Sequence, residues 1–140
     1  MTESVKFHFD IDGENFTSAG EASVRIKKML RDMGFSTEVI RRVSVAMYEG
    51  EINMVIHANG GSADVIVSND KVEIILADSG PGIADIEMAM KEGYSTAPEN
   101  IRSLGFGAGM GLPNMKRYTD DMRIESEVGK GTTVYMTVNV

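Results

Sequence analysis

Cysteine is absent from the 140 residues, and histidine occurs only as His8 and His57. The first absence excludes a disulfide framework, a thiolate zinc site and a cysteine nucleophile. The second excludes a histidine-rich metal site. No apolar run approaches the ~20 residues that span a bilayer. The opening Met1-Thr2-Glu3-Ser4 has neither the basic nor the apolar region of a signal peptide, so a cytoplasmic domain off the membrane is expected. Basic residues are the minority, 14 Lys plus Arg against 21 Asp plus Glu, for a net charge of -7. Such a surface repels phosphate backbones and anionic membranes, which disfavours both as partners. A small phosphate-bearing ligand held by backbone amides stays open. What the chain does have is core material: 42% of it is hydrophobic. At this length about two-thirds of the unfolded surface can be buried without a staple. One domain over residues 1–140 is expected. The eleven methionines read as adaptable core filler.

Val5, Phe7, Phe9 and Ile11 alternate with polar residues, the period of a half-buried strand closed by Gly13. Ser18-x-x-Glu21 reads as a capping box opening a helix through Ala22, Ile26, Met29, Leu30 and Met33 to Gly34. Ser36 caps a second helix carrying Val39, Val43, Ala46, Met54 and Ile56, which runs to Asn59-Gly60-Gly61. The β-rich runs 63–67 and 72–77 flank a turn and predict a hairpin. A short helix is expected from Ile83 to Lys91, and another after Pro113 to about Tyr118. Met122, Ile124 and Val128, then Val134, Met136, Val138 and Val140, form a closing hairpin around Gly129-Lys130-Gly131. About five strands and three or four helices predict an α+β fold. The expected form is a two-layer α/β sandwich, with a mixed, mostly antiparallel sheet and helices on one face.

Four constellations carry chemistry. Glu49 and Asn53 lie four apart on the second helix, with His57 four further on, so all three share one stripe. An amide oxygen beside a carboxylate suits a magnesium ion that takes its other ligands from substrate phosphates and water, with the carboxylate as base. Alone, Glu-x-x-x-Asn is more often a solvated helix face. Gly50 costs a helix interior about 1 kcal/mol, which close packing against the sheet would explain. Asp78-Ser79-Gly80-Pro81-Gly82 ends an apolar run. A carboxylate there needs a donor, such as the amino group of adenine, and Gly80 and Gly82 leave room for a flat ligand. An Asx turn into a helix is the plain alternative. Gly105, Gly107, Gly109 and Gly111 alternate before Leu112 and a helix, so several backbone N–H groups can converge on an anion. The alternative there is a flexible linker. Gly129-x-Gly131-Thr132-Thr133 alone is an ordinary hairpin.

In this order the four resemble the motifs of the GHKL ATPase superfamily, which has the Bergerat ATP-binding fold. The resemblance runs from about residue 18 to 140 and is nearest to the anti-sigma-factor and switch-protein serine kinases. It is carried by Glu49-x-x-x-Asn53, Asp78-x-Gly80-x-Gly82, Gly93-Tyr94-Ser95-Thr96, Gly109-x-Gly111-Leu112-Pro113 and Gly129-x-Gly131-Thr132-Thr133. The resemblance implies ATP and Mg2+ as cofactors, Asn53 as metal ligand and Glu49 as general base. It implies Asp78 as the adenine-reading carboxylate with Thr132 close to it, and Gly105 to Gly111 as a phosphate-covering lid. Glu51, between the two helix residues, is an extra carboxylate open to the metal.

The function so implied is a protein serine/threonine kinase that phosphorylates a small regulatory protein of the anti-anti-sigma or switch type. A sigma factor is the other expected partner, and a homodimer is allowed. The alternative is an ATP-gated module that sequesters its partner without phosphotransfer, which would not require a base at Glu49. A histidine kinase would need a phosphoacceptor His on a separate dimerisation helix. His57 lies on the ligand helix itself and reads as structural.

Overall fold

A computed structural model of the chain describes residues 4–12, 20–58, 60–83, 86, 90 and 111–140, with 56–58 as backbone alone. Strand β1 (Ser4–Asp12) follows its alternation. Phe7, Phe9 and Ile11 pack on the core, while Lys6, His8 and Asp10 stay exposed. β2 (Gly60–Ser68) and β3 (Lys71–Ala77) make the expected hairpin. β4 (Asp121–Glu127) and β5 (Gly131–Asn139) make the closing one. The order in the five-stranded sheet is β1-β2-β3-β5-β4. Every described ladder is antiparallel, so no parallel pair enters the expected mixture.

Period-2 patterning gives the sheet one apolar face. Ala63, Val65 and Val67 of β2, Val72, Ile74 and Leu76 of β3, and Val134, Met136 and Val138 of β5 are all buried. Against them lie helices α1 (Glu21–Asp32) and α2 (Thr37–Ala58), and a short helix α3 (Gly111–Arg117) packs on α2. Each aliphatic side chain buried there stabilises by about 1.5–3 kcal/mol. The result is the expected two-layer α+β sandwich. Met47, Met54, Met115 and Met136 fill the core, as methionine's unbranched chain allows.

Helix α1 starts differently from the local pattern. Its N-cap is Gly20, which makes no side-chain cap, and Glu21 opens the first turn; Ser18 lies outside the described residues, as does Gly13. The helix is capped from a distance. The Glu51 carboxylate of α2 accepts the backbone N–H groups of Gly20 (2.9 Å), Ala22 (3.3 Å) and Ser23 (2.7 Å). A helix leaves its first N–H groups without intrahelical partners, and here a buried side chain supplies the acceptors. The other end behaves as its sequence predicts. Gly34 and Phe35 donate back to the Arg31 and Leu30 carbonyls, closing a Schellman-type turn.

Ser36 caps α2 as expected, its Oγ accepting the Val39 N–H at 3.3 Å. Gly50 is buried mid-helix where a Cβ would overlap Leu76 of β3 and lie 3.4 Å from Met115 of α3. That is the close helix–sheet packing its presence implied. Arg42 then ties α2 to the turn after α3: Nε donates to the Tyr118 carbonyl at 3.2 Å and Nη2 pairs with Asp120 at 2.9 Å. The Asn139 N–H and this arginine hold the Asp120 carboxyl below the usual carboxylate range. Of the helix expected at 83–91, only Ile83, Ile86 and Met90 are described. Met90 N–H donates to the Ile86 carbonyl at 3.0 Å, one helical turn.

Candidate functional site

Two helices and one strand end supply the described part of the site. Glu49 and Asn53 stand one turn apart on α2, and α3 runs opposite them. Asn114 Nδ2 lies 3.4 Å from Glu49 Oε1. A Cβ placed on Gly111 would come within 2.9 Å of the Asn53 amide oxygen. Asn53 therefore faces Gly111 and Glu49 faces Asn114, one turn on each helix. The absence of a side chain at Gly111 is what lets Asn53 meet the α3 backbone. Leu112, from the same predicted set, is partly buried on the core and anchors the start of α3.

Glu51 corrects one expectation. It is 1% exposed and its carboxylate is committed to the α1 backbone, pointing away from the Asn53 stripe. It is not free to join a metal site. Loss of water pushes its carboxyl above the ordinary glutamate value, and the amide hydrogen bonds from Ser23, Gly20 and Ala22 pull the other way.

At the end of β3, Asp78 continues the ladder to β5. Its N–H donates to the Thr132 carbonyl at 2.9 Å. Its Oδ1 accepts from Gly80 N–H at 3.0 Å and Thr132 N–H at 3.1 Å. Oδ2 has no hydrogen-bond partner among the described residues. Asp78 and Thr132 are thus brought together as predicted, and the carboxylate is aimed by two backbone amides with one oxygen open. The Asx-type turn predicted as the plain alternative is also present, in the Gly80 contact. The two coexist.

Two glycines near Asp78 also meet neighbouring backbone. Gly82 has φ +79, and its Cβ position is taken by the Glu127 carbonyl; Gly131 has φ +128, and its Cβ position is taken by the Asp78 carbonyl. Only glycine meets both conditions without strain. They let the 78–83 segment lie directly on the β4–β5 turn, with Gly129 N–H donating to the Pro81 carbonyl at 2.9 Å. Gly82 thus lets the backbone pack closely here. Ser126, which no motif singled out, closes this corner. Its Oγ accepts the Ile83 N–H at 2.7 Å and lies 2.8 Å from the Thr132 hydroxyl. The Cβ position of Gly61 is 3.0 Å from Met54 Sδ and 3.1 Å from Asp78 Cα, which seats Asp78 beside α2.

Gly105, Gly107 and Gly109, with Gly93, Ser95 and Thr96, lie outside the described residues, as does the His57 side chain. No group of three or more His, Asp or Glu side chains able to hold a metal occurs among the described residues. A cation beside Asn53 would take most of its ligands from a bound phosphate and water, the habit of magnesium. The residues present fit that arrangement: one amide oxygen at Asn53 and a carboxylate one turn away at Glu49.

A family model described as a histidine kinase-like ATPase domain matches residues 15–138, and the chain belongs to that family. The GHKL resemblance read from its motifs is thereby shown. The chain is 30% identical over 142 residues to an anti-sigma F factor of Geobacillus stearothermophilus, covering 97% of this chain and 92% of that one. It is 31% identical over 112 residues to the serine/threonine-protein kinase RsbT of Bacillus subtilis, covering 77% and 78%. A solved structure of the RsbU and RsbW domains of a Mycobacterium tuberculosis protein matches with a TM-score of 0.65 at 16% identity. That match covers 96% of this chain and 32% of the longer one, and what it shares is the fold.

Proposed function

We propose that the protein is an ATP-dependent serine/threonine kinase of the anti-sigma or switch-protein type, which phosphorylates a small regulatory protein. One observation carries the chemistry: Glu49 and Asn53 stand a turn apart on α2, facing the residues where the glycine-rich segment enters α3. ATP with Mg2+ would supply the phosphoryl group and its charge neutralisation, so the protein's task is positioning. Asn53 holds the metal through its amide oxygen. Glu49 receives the proton of the acceptor hydroxyl. Asp78 Oδ2 accepts from the exocyclic amino group of adenine, with Thr132 beside it. Gly105, Gly107, Gly109 and Gly111 offer backbone N–H groups to the phosphates. The anti-sigma and RsbT relatives point to an anti-anti-sigma or switch protein, or a sigma factor, as partner. The whole chain is one domain acting in the cytoplasm. Among the described residues no helix is long and apolar enough to cross a membrane.

The test is incubation with labelled Mg·ATP and the regulatory proteins encoded beside this one, followed by mass spectrometry. The expected result is phosphoserine or phosphothreonine on a partner, lost in Glu49→Gln. A partner that binds in an ATP-dependent way and is never phosphorylated would establish the sequestering module instead.

A further inference from the structure

Asn114 belongs to none of the predicted motifs, yet its side chain reaches Glu49. Its two ends are told apart by their partners. Arg117 Nη1 can only donate, and it sits 3.1 Å from Asn114 Oδ1. An ionised carboxylate can only accept, and Glu49 Oε1 sits 3.4 Å from Nδ2. The amide is thus held with its oxygen toward a cation and its NH2 toward the carboxylate, an orientation fixed by the hydrogen-bond inventory alone. The backbone beneath is firmly seated. Pro113 and Met115 on either side of Asn114 are buried, and Met115 reaches the Gly50 position of α2. Glu49 Oε2 has no partner among the described residues.

We propose that Asn114 is a positioning residue for the base: it occupies Oε1 of Glu49 and so presents Oε2 to the acceptor hydroxyl. The inference rests on the reading of Glu49 as base. In the step it serves, the hydroxyl oxygen bonds the terminal phosphorus as the bond to ADP breaks. ADP leaves with the electron pair, and the hydroxyl proton passes to Oε2. A donor at 3.4 Å is long for N–H···O, and such contacts tighten once a substrate is in place. Asn114 also lies three residues after Gly111, about one turn along α3.

The test compares wild type with Asn114→Asp, which keeps the shape, removes the donor and sets a second carboxylate against Glu49. A packing role tolerates that change and a donor role does not. Calorimetry should give a dissociation constant for Mg·ATP within about two-fold of wild type, because the contact is to the base. Single-turnover phosphate release from Mg·ATP, with water as acceptor, should fall by about ten-fold, part of the 10²–10⁴ that a base supplies. In a Glu49→Gln background the same change should cost nothing further. A readout without nucleotide decides the contact itself. The side-chain NH2 signals of Asn114 in the nitrogen–proton NMR spectrum should shift in Glu49→Gln. Asn114→Ala, which loses the donor without adding charge, replaces the Asp form if that fails to fold. Wild-type turnover in Asn114→Asp, with Glu49→Gln slow, overturns the positioning role and leaves the kinase reading standing. Wild-type turnover in Glu49→Gln removes the base, and both fall. NH2 signals that stay fixed in Glu49→Gln overturn the contact.

Discussion

Glu49 and Glu51 are two residues apart on α2 and have unrelated surroundings. Glu49 faces α3 and keeps one oxygen open among the described residues, whereas Glu51 is buried and accepts three backbone N–H groups at the start of α1. Glu51→Gln keeps the shape but offers one acceptor oxygen where there were two, and turns an amide NH2 toward N–H donors. Leaving such donors unsatisfied costs about 1–3 kcal/mol, so thermal melting should show a midpoint lower by several degrees. A midpoint equal to wild type would mean that Glu51 does not cap α1 in solution. Asp78→Asn tests a different property. Mg·ATP at about 100 times its dissociation constant should stabilise wild type by roughly 2.7 kcal/mol, and the Asn form much less. GTP presents a carbonyl where ATP presents an amino group, so it should stabilise wild type little. Equal midpoint shifts with the two nucleotides would count against the adenine role of Asp78.

At the scale of elements, α2 is fastened to the sheet and to α3 through the missing side chain of Gly50. Alanine there gains about 1 kcal/mol of helix propensity. It also drives a methyl into Leu76, and overpacking of this kind costs about 1–3 kcal/mol. Gly50→Ala should therefore lower the denaturant midpoint, and Leu76→Ala in the same chain should recover part of the loss, a coupling that a double-mutant cycle reads directly. The β1–β2 pair makes a second prediction. His8 Nδ1 lies 2.7 Å from Asp64, its cross-strand neighbour, and Nε2 lies 3.1 Å from Asp10. Asp64 first and Asp10 second raise the imidazole above its ordinary 6.5. The folded state thus binds the proton more tightly than the unfolded one. Whatever the pair contributes is complete below pH 6.5 and is lost as pH rises through the folded value. Proton NMR should place the His8 midpoint above 6.5, and Asp64→Asn should bring it down more than Asp10→Asn does.

The elements were legible because period and punctuation agree with tertiary burial. Each hairpin has one polar and one apolar face, and Gly34, Ser36 and Gly50 do what their chemistry implies. The start of α1 was not legible. Ser18-x-x-Glu21 satisfies the local rule, but the groups that cap Gly20, Ala22 and Ser23 come from Glu51, far along the chain. Nothing in a single letter separates Glu51 from Glu49; only the packing of α1 on α2 does. Asn114 was missed for the same reason, since its role exists only once α3 lies against Glu49. The pairing of Asp78 with Thr132 came from a family resemblance, and Ser126 beside them carries no local signal.

At the scale of the whole molecule, ligand and fold form one equilibrium, so stability is the most direct measure of occupancy. The molecule's surface must also recruit the acceptor. We expect the labelled hydroxyl to belong to a separate protein, because a segment that had to close over ATP could not easily hold its own hydroxyl in line with the leaving group. Stoichiometric label on Ser95 or Thr96 of the isolated chain, read by mass spectrometry, would reverse that expectation.

The strand order has a further consequence during synthesis. β1 is made first, but its ladder partner β2 begins at Gly60, after both long helices. Translation proceeds at about 5–20 residues per second, so β1 waits for seconds with its backbone groups unpaired, while the later hairpins close within microseconds of emerging. An unpaired apolar strand invites pairing with another chain. The side of β1 that carries Lys6, His8 and Asp10 is polar, so the waiting strand offers an apolar surface on one face alone.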